Sequence, residues 1–125
     1  MRPTLLRILA VFATCSLLFA ACGSTSSVIA NFDRDWGDGR VETLELHDDG
    51  KVLMNHVGTI DRTTLSSGDL DRIKASLSNI EPATDPSAYP RLTLTPTGGG
   101  PVVVATTPGT AGELFLSLLD THRLP

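Results

Sequence analysis

The sequence predicts an α+β fold: an antiparallel sheet of four or five strands in the order (β)ββαββα, with two helices packed on one face. Three observations carry this. Asp48-Asp49-Gly50-Lys51 is a hairpin turn between two alternating runs, and helix starts with capping residues stand at Ser66 and Thr110. A second turn segment, Gly98-Gly99-Gly100, separates two Thr/Val-rich runs. Short turns join antiparallel neighbours, whereas parallel strands need long crossovers, so hairpins and helices should segregate into layers.

Residues 28–32 alternate moderately and form an optional first strand; residues 33–40, dense in Asp and Gly, read as a loop. Residues 41–47 place Leu44 and Leu46 on one face and Thr43, Glu45 and His47 on the other, the pattern of a half-buried strand. Gly50 supplies the positive φ of a three-residue turn into a strand over residues 51–60. That register sets Leu46 against Val52 and Leu44 against Met54, and it puts His47 and His56 on opposite sheet faces. A two-residue turn would shift the register by one and expose the other set. Ser66 caps a helix in which Asp69 answers the cap, Leu65 and Leu70 staple the entry, and Leu70, Ile73, Leu77 and Ile80 recur at helical spacing until Pro82. Residues 81–90 form a Pro-rich crossing. Residues 91–97 and 101–107 form the second hairpin, and Thr110 with Glu113 makes a capping box ahead of Leu114, Phe115, Leu118 and Leu119.

Ahead of this domain stands a different kind of segment. Arg2 and Arg7 precede an uncharged apolar run over residues 8–21, which ends on Phe19-Ala20-Ala21-Cys22. The segment resembles a bacterial lipoprotein signal peptide, in which small residues precede a cysteine that is acylated on its thiol and becomes the new N-terminus. The resemblance implies lipidation of Cys22, and it departs from the family only at Phe19, where an aliphatic residue is usual. An ordinary secretory signal cleaved near Ala21, leaving a free thiol, is the alternative. A retained span is disfavoured, because crossing a hydrocarbon core of about 30 Å takes about 20 apolar residues. The expected organisation is therefore signal peptide 1–21, lipidated Cys22 with a short tether 22–27, and one globular domain 28–125. The expected location is the extracytoplasmic face of a cell membrane, held by the lipid. The tether 23–27 reaches at most about 18 Å, so the domain stays near that surface.

Loss of Arg2 and Arg7 takes the formal net charge from −4 to −6. An acidic domain argues against nucleic-acid binding and against electrostatic attachment to anionic headgroups. Cys15 leaves with the signal, so the mature chain carries no internal disulfide. No Gly-x-Ser-x-Gly occurs, and His47, His56 and His122 read individually as surface or structural groups, so no catalytic residue is assigned. Asp33 and Asp35 imitate the first ligands of an EF-hand, but Gly37 and Asp38 occupy the fifth and sixth positions wrongly and Leu44 replaces the terminal glutamate. No metal and no cofactor are expected. The single Trp, Trp36, sits among Arg34, Asp38 and Arg40; it either lids the small core or, with those neighbours, forms a recognition patch.

The succession of hairpin, Leu65-Ser66-Ser67-Gly68-Asp69-Leu70 helix start, Pro/Asp loop at residues 82–90, Thr/Val-rich hairpin and Leu-rich last helix resembles small bacterial emfourin-type proteins. That family includes proteinaceous metalloprotease inhibitors, and its Gly-rich early segment corresponds loosely to Trp36-Gly37-Asp38-Gly39. The expected product is a non-enzymatic, monomeric protein-binding module, and the resemblance implies a protease inhibitor as one form of it. An envelope lipoprotein that binds a small ligand, or a hydrolase, are the competing readings.

Overall fold

The computed structural model describes residues 26–125. Its elements are β1 (Val28–Asp35), β2 (Val41–His47), β3 (Lys51–His56), β4 (Thr59–Thr64), α1 (Ser67–Ser76), β5 (Arg91–Pro96), β6 (Val102–Val103) and α2 (Ala111–Thr121). The strands form one antiparallel sheet in the order β4-β3-β2-β1-β5-β6. The α+β class is as expected, but the sheet has six strands, not four or five, and the signal segment with Cys22 lies outside the described residues.

Two departures explain the count. Residues 51–60 do not form one strand. Val57 and Gly58 both take positive φ, 52° and 99°, and close a two-residue hairpin that pairs His56 with Thr59. A β-branched residue is seldom found in that region, which is why the turn carries no conventional sequence signal. β1, in turn, is a central strand that runs on through Asp33 and Asp35, pairing with β2 on one side and β5 on the other. The first three residues of the charged stretch expected to be loop are therefore strand.

The first hairpin has the expected register, Leu44 opposite Met54 and Leu46 opposite Val52. Gly50 sits at φ 88°, and a side chain there would press on the Leu65 carbonyl, which accepts no substitute without moving the β4–α1 connection. Ser66 caps α1 by accepting the Asp69 amide at 3.2 Å. The helix ends earlier than the spacing suggests, at Ser76, so Ile73 is fully buried while Leu70, Leu77 and Ile80 are half-buried. At α2 the expected capping box does not form: the Thr110 hydroxyl donates to the Thr107 carbonyl at 2.7 Å, which leaves it turned away from the helix amides.

One core joins the layers. Ala30, Phe32, Leu44, Leu46, Val52, Met54 and Leu94 alternate onto a single sheet face and meet Ile73 of α1 and Leu114, Phe115, Leu118 and Leu119 of α2. Phe32 and Phe115 lie 5.7 Å apart at their ring centres, a tilted aromatic pair. Among the described residues no helix is long and apolar enough to cross a membrane.

Candidate functional site

The core face of the sheet changes character at one end. Along β1 the inward positions run Ala30, Phe32, Arg34; along β2 they run Leu46, Leu44, Glu42; along β3, Val52, Met54, His56. Arg34, Glu42 and His56 are cross-strand neighbours, so three ionisable side chains form one row on the apolar side of the sheet. Asp61 joins from β4, and the C-terminal end of α2 covers the row with Asp120 and His122.

Glu42 organises this row. It is 8% exposed, and its carboxylate accepts from Arg34 Nε at 2.6 Å, from Trp36 Nε1 at 3.0 Å and from His56 Nδ1 at 3.0 Å. The Arg34 hydrogen bond is the strongest influence on its acidity, opposed by burial and assisted by His56 and Trp36, and it holds the Glu42 pKa down to about 2. The carboxylate is therefore ionised at neutral pH and can only accept, so His56 donates through Nδ1. Arg34 also reaches Asp120 Oδ1 at 2.7 Å, tying the sheet to the end of α2.

The expected recognition residues are divided between two environments. Trp36 is half-buried, held between the guanidinium groups of Arg34 at 4.8 Å and Arg40 at 5.2 Å from its ring centre. It lids the polar row and not the hydrophobic core. Arg34, expected in the loop, lies on β1 with its side chain occupied by Glu42 and Asp120, so its role is to support the indole from beneath. Arg40 and Asp38 are exposed and pair with each other at 2.8 Å. Hydrogen bonds from the Arg40 backbone and side chain lower the Asp38 pKa. Asp33 and Asp35 point to the opposite sheet face, and burial raises the Asp33 pKa, so the pair does not form a loop chelate.

The histidines also separate as the register requires. His47 is on the outward face at the other end of the sheet, bonded to Ser26 Oγ at 2.9 Å and Glu45 Oε1 at 2.7 Å. An open groove over β3 and β4 lies on that side, lined by His47, Lys51, Leu53, Arg62 and Thr64, away from the polar row. His56 and His122, by contrast, come together with ring centres 5.6 Å apart. The sequence reading missed this pair and missed Glu42. The available signal was the strand alternation, which puts Glu42 on the face of Leu44 and Leu46, and His56 on the face of Met54. No family model, no curated protein and no solved structure matches the chain.

Proposed function

We propose that the chain is a membrane-anchored, extracytoplasmic lipoprotein whose folded domain is a non-enzymatic protein-binding module. The observation that supports it is where the exposed apolar side chains lie. Val41, Val57, Ile60 and Tyr89 are 42%, 56%, 46% and 53% exposed, and all four lie toward the Trp36 end of the sheet. Tyr89 packs its ring on Gly37 and is in turn stacked by Arg91 at 4.7 Å, so aromatic and guanidinium groups alternate around the β1–β2 turn. Aromatic and Arg anchors of this kind are enriched where proteins bind proteins.

The opposite end receives the tether. Ser27 exchanges hydrogen bonds with Asp48, its amide donating to Oδ1 at 3.0 Å and its carbonyl accepting from the Asp48 amide at 2.9 Å. From there β1 runs its 8 residues to Asp35, about 26 Å at roughly 3.3 Å per residue. A lipid on Cys22 would thus hold the β2–β3 turn toward the bilayer and leave the Trp36 end facing outward. The emfourin-type resemblance of the sequence makes a metalloprotease the partner class to test first.

Two measurements test this reading. Cys22→Ser should move the protein out of the detergent-extracted membrane fraction or leave an uncleaved precursor; mass spectrometry finding an unacylated mature N-terminus on the native chain would overturn the anchor. For binding, Val57→Asn suits the positive φ of its turn and should raise stability by about 1 kcal/mol by relieving strain. Combined with Tyr89→Ala, it should nevertheless abolish partner recovery in crosslinking from intact membranes. Recovery of the same partners by both forms would overturn the assignment of this end.

A further inference from the structure

We propose that His56, Asp61 and His122 form a binding site for one divalent transition-metal ion of the zinc class. The three side chains come from separate elements: His56 ends β3, Asp61 lies on β4 just past the Val57-Gly58 turn, and His122 follows the last turn of α2. His56 Nε2 and His122 Nε2 stand 3.5 and 3.6 Å from Asp61 Oδ2, and all three atoms lie within 4.8 Å of one another.

These distances are too long for direct hydrogen bonds. The two distances to Asp61 are near the ligand-to-ligand separation of a tetrahedral zinc site, about 3.3 Å when the metal–ligand bonds are about 2.0–2.1 Å, and the two imidazoles, within 4.8 Å, would close further on an ion. The orientation of the His56 ring points the same way. Glu42 takes the hydrogen bond from His56 Nδ1, so Nε2 is the ring nitrogen turned toward the carboxylate of Asp61. Nε2 is buried and has no hydrogen-bond partner among the described residues. Two imidazole nitrogens thus converge on one carboxylate oxygen at separations longer than a hydrogen bond. A proton on one ring would serve a single pair, whereas one cation serves all three.

The surroundings are those of a ligand set held from behind. A histidine ligand commonly gives its other ring N–H to a carboxylate, which fixes its orientation and raises its basicity, and Glu42 stands in that position at 3.0 Å from His56. Arg34, bonded to both Glu42 and Asp120, pins the sheet and the end of α2 at one spacing. His122 adopts φ 60° as its amide closes on the Leu118 carbonyl at 2.9 Å, which turns its side chain back toward β4. Two imidazoles and one carboxylate suit a borderline cation better than calcium or magnesium, which take oxygen ligands. Asp61 and His122 are each about two-fifths exposed, so the fourth position opens to water.

The test uses the full chain, stripped with chelator and titrated calorimetrically with zinc chloride, with cobalt(II) absorption as the second readout. One ion per chain, tetrahedral cobalt bands without thiolate charge transfer, and a raised melting temperature in zinc are expected. His122→Gln and Asp61→Asn, at an exposed and a partly exposed position that leave the Glu42 cluster intact, should each weaken binding roughly tenfold or more. His47→Gln, on the opposite face, should leave binding unchanged. Absence of stoichiometric binding, or zinc binding that survives His122→Gln and Asp61→Asn undiminished, would overturn the site.

Discussion

Glu42→Ala should destabilise the fold by about 3 kcal/mol, the lower end of the roughly 3–5 kcal/mol range for breaking a buried ion pair from one side. The substitution takes one acceptor away from Arg34, Trp36 and His56 together. It falls at the low end because Arg34 keeps Asp120, although that partner is nearly half exposed. Urea unfolding read by the fluorescence of Trp36 reports the loss directly, since this one indole donates to Glu42. The pH dependence has a fixed sign. Glu42 is held well below its unfolded value near 4.5, so its contribution is complete above that value and disappears as pH falls toward about 2. Glu42→Gln should flatten stability across that acid window. An unchanged acid-unfolding profile in the Gln variant would show that the carboxylate is not the linked group.

Gly112→Ala should also destabilise, against the ordinary expectation for a helix. Replacing a helical glycine by alanine gains up to about 1 kcal/mol from reduced backbone entropy, and less in the first turn, where Gly112 is the second residue of α2. In α2, however, Gly112 is buried against the chain entering the helix, and an added Cβ would collide with the Ala105 carbonyl and press on Val104. Backbone cannot move aside as a flexible side chain does, so the overpacking penalty of about 1–3 kcal/mol, at its upper end or beyond, outweighs the propensity gain. The net loss should be about 2 kcal/mol, measured by urea unfolding. A stabilised variant would mean that α2 docks more loosely on residues 104–105 than its geometry implies.

Much of the fold was legible because its local signals are self-contained. Asp48-Asp49-Gly50-Lys51 specifies its turn, and the resulting register of Leu44 with Met54 is the observed one. Ser66 caps α1 through a contact three residues away. The failures have a common physical origin in tertiary compensation. Asp33, Arg34 and Asp35 look like loop because isolated charges disfavour a central strand, yet Arg34 is neutralised by Glu42 across the ladder and by Asp120 from α2. Val57 looks like strand interior, and only its pairing context reveals a turn. The approach of His122 to His56 and Asp61 depends on how α2 crosses the sheet, which no local pattern encodes.

The strand order has a kinetic meaning. β1 through β4 form an uninterrupted meander in which each strand pairs with the next, so their contacts close small loops at low entropic cost. The remaining edge of β1 waits for β5, where Asp35 meets Arg91 and Ala30 meets Pro96 across the whole of α1 and the crossing that follows. Loop closure of that length carries the slow, non-local part of folding. For a chain that emerges N-terminus first, a strand that ends up in the middle of the sheet is thus the first of the described strands to be synthesised and is completed late. Its open edge, with Asn31, Asp33 and Asp35 on the outward face, meets water as charged and polar groups, a composition that discourages pairing with a second copy before β5 arrives.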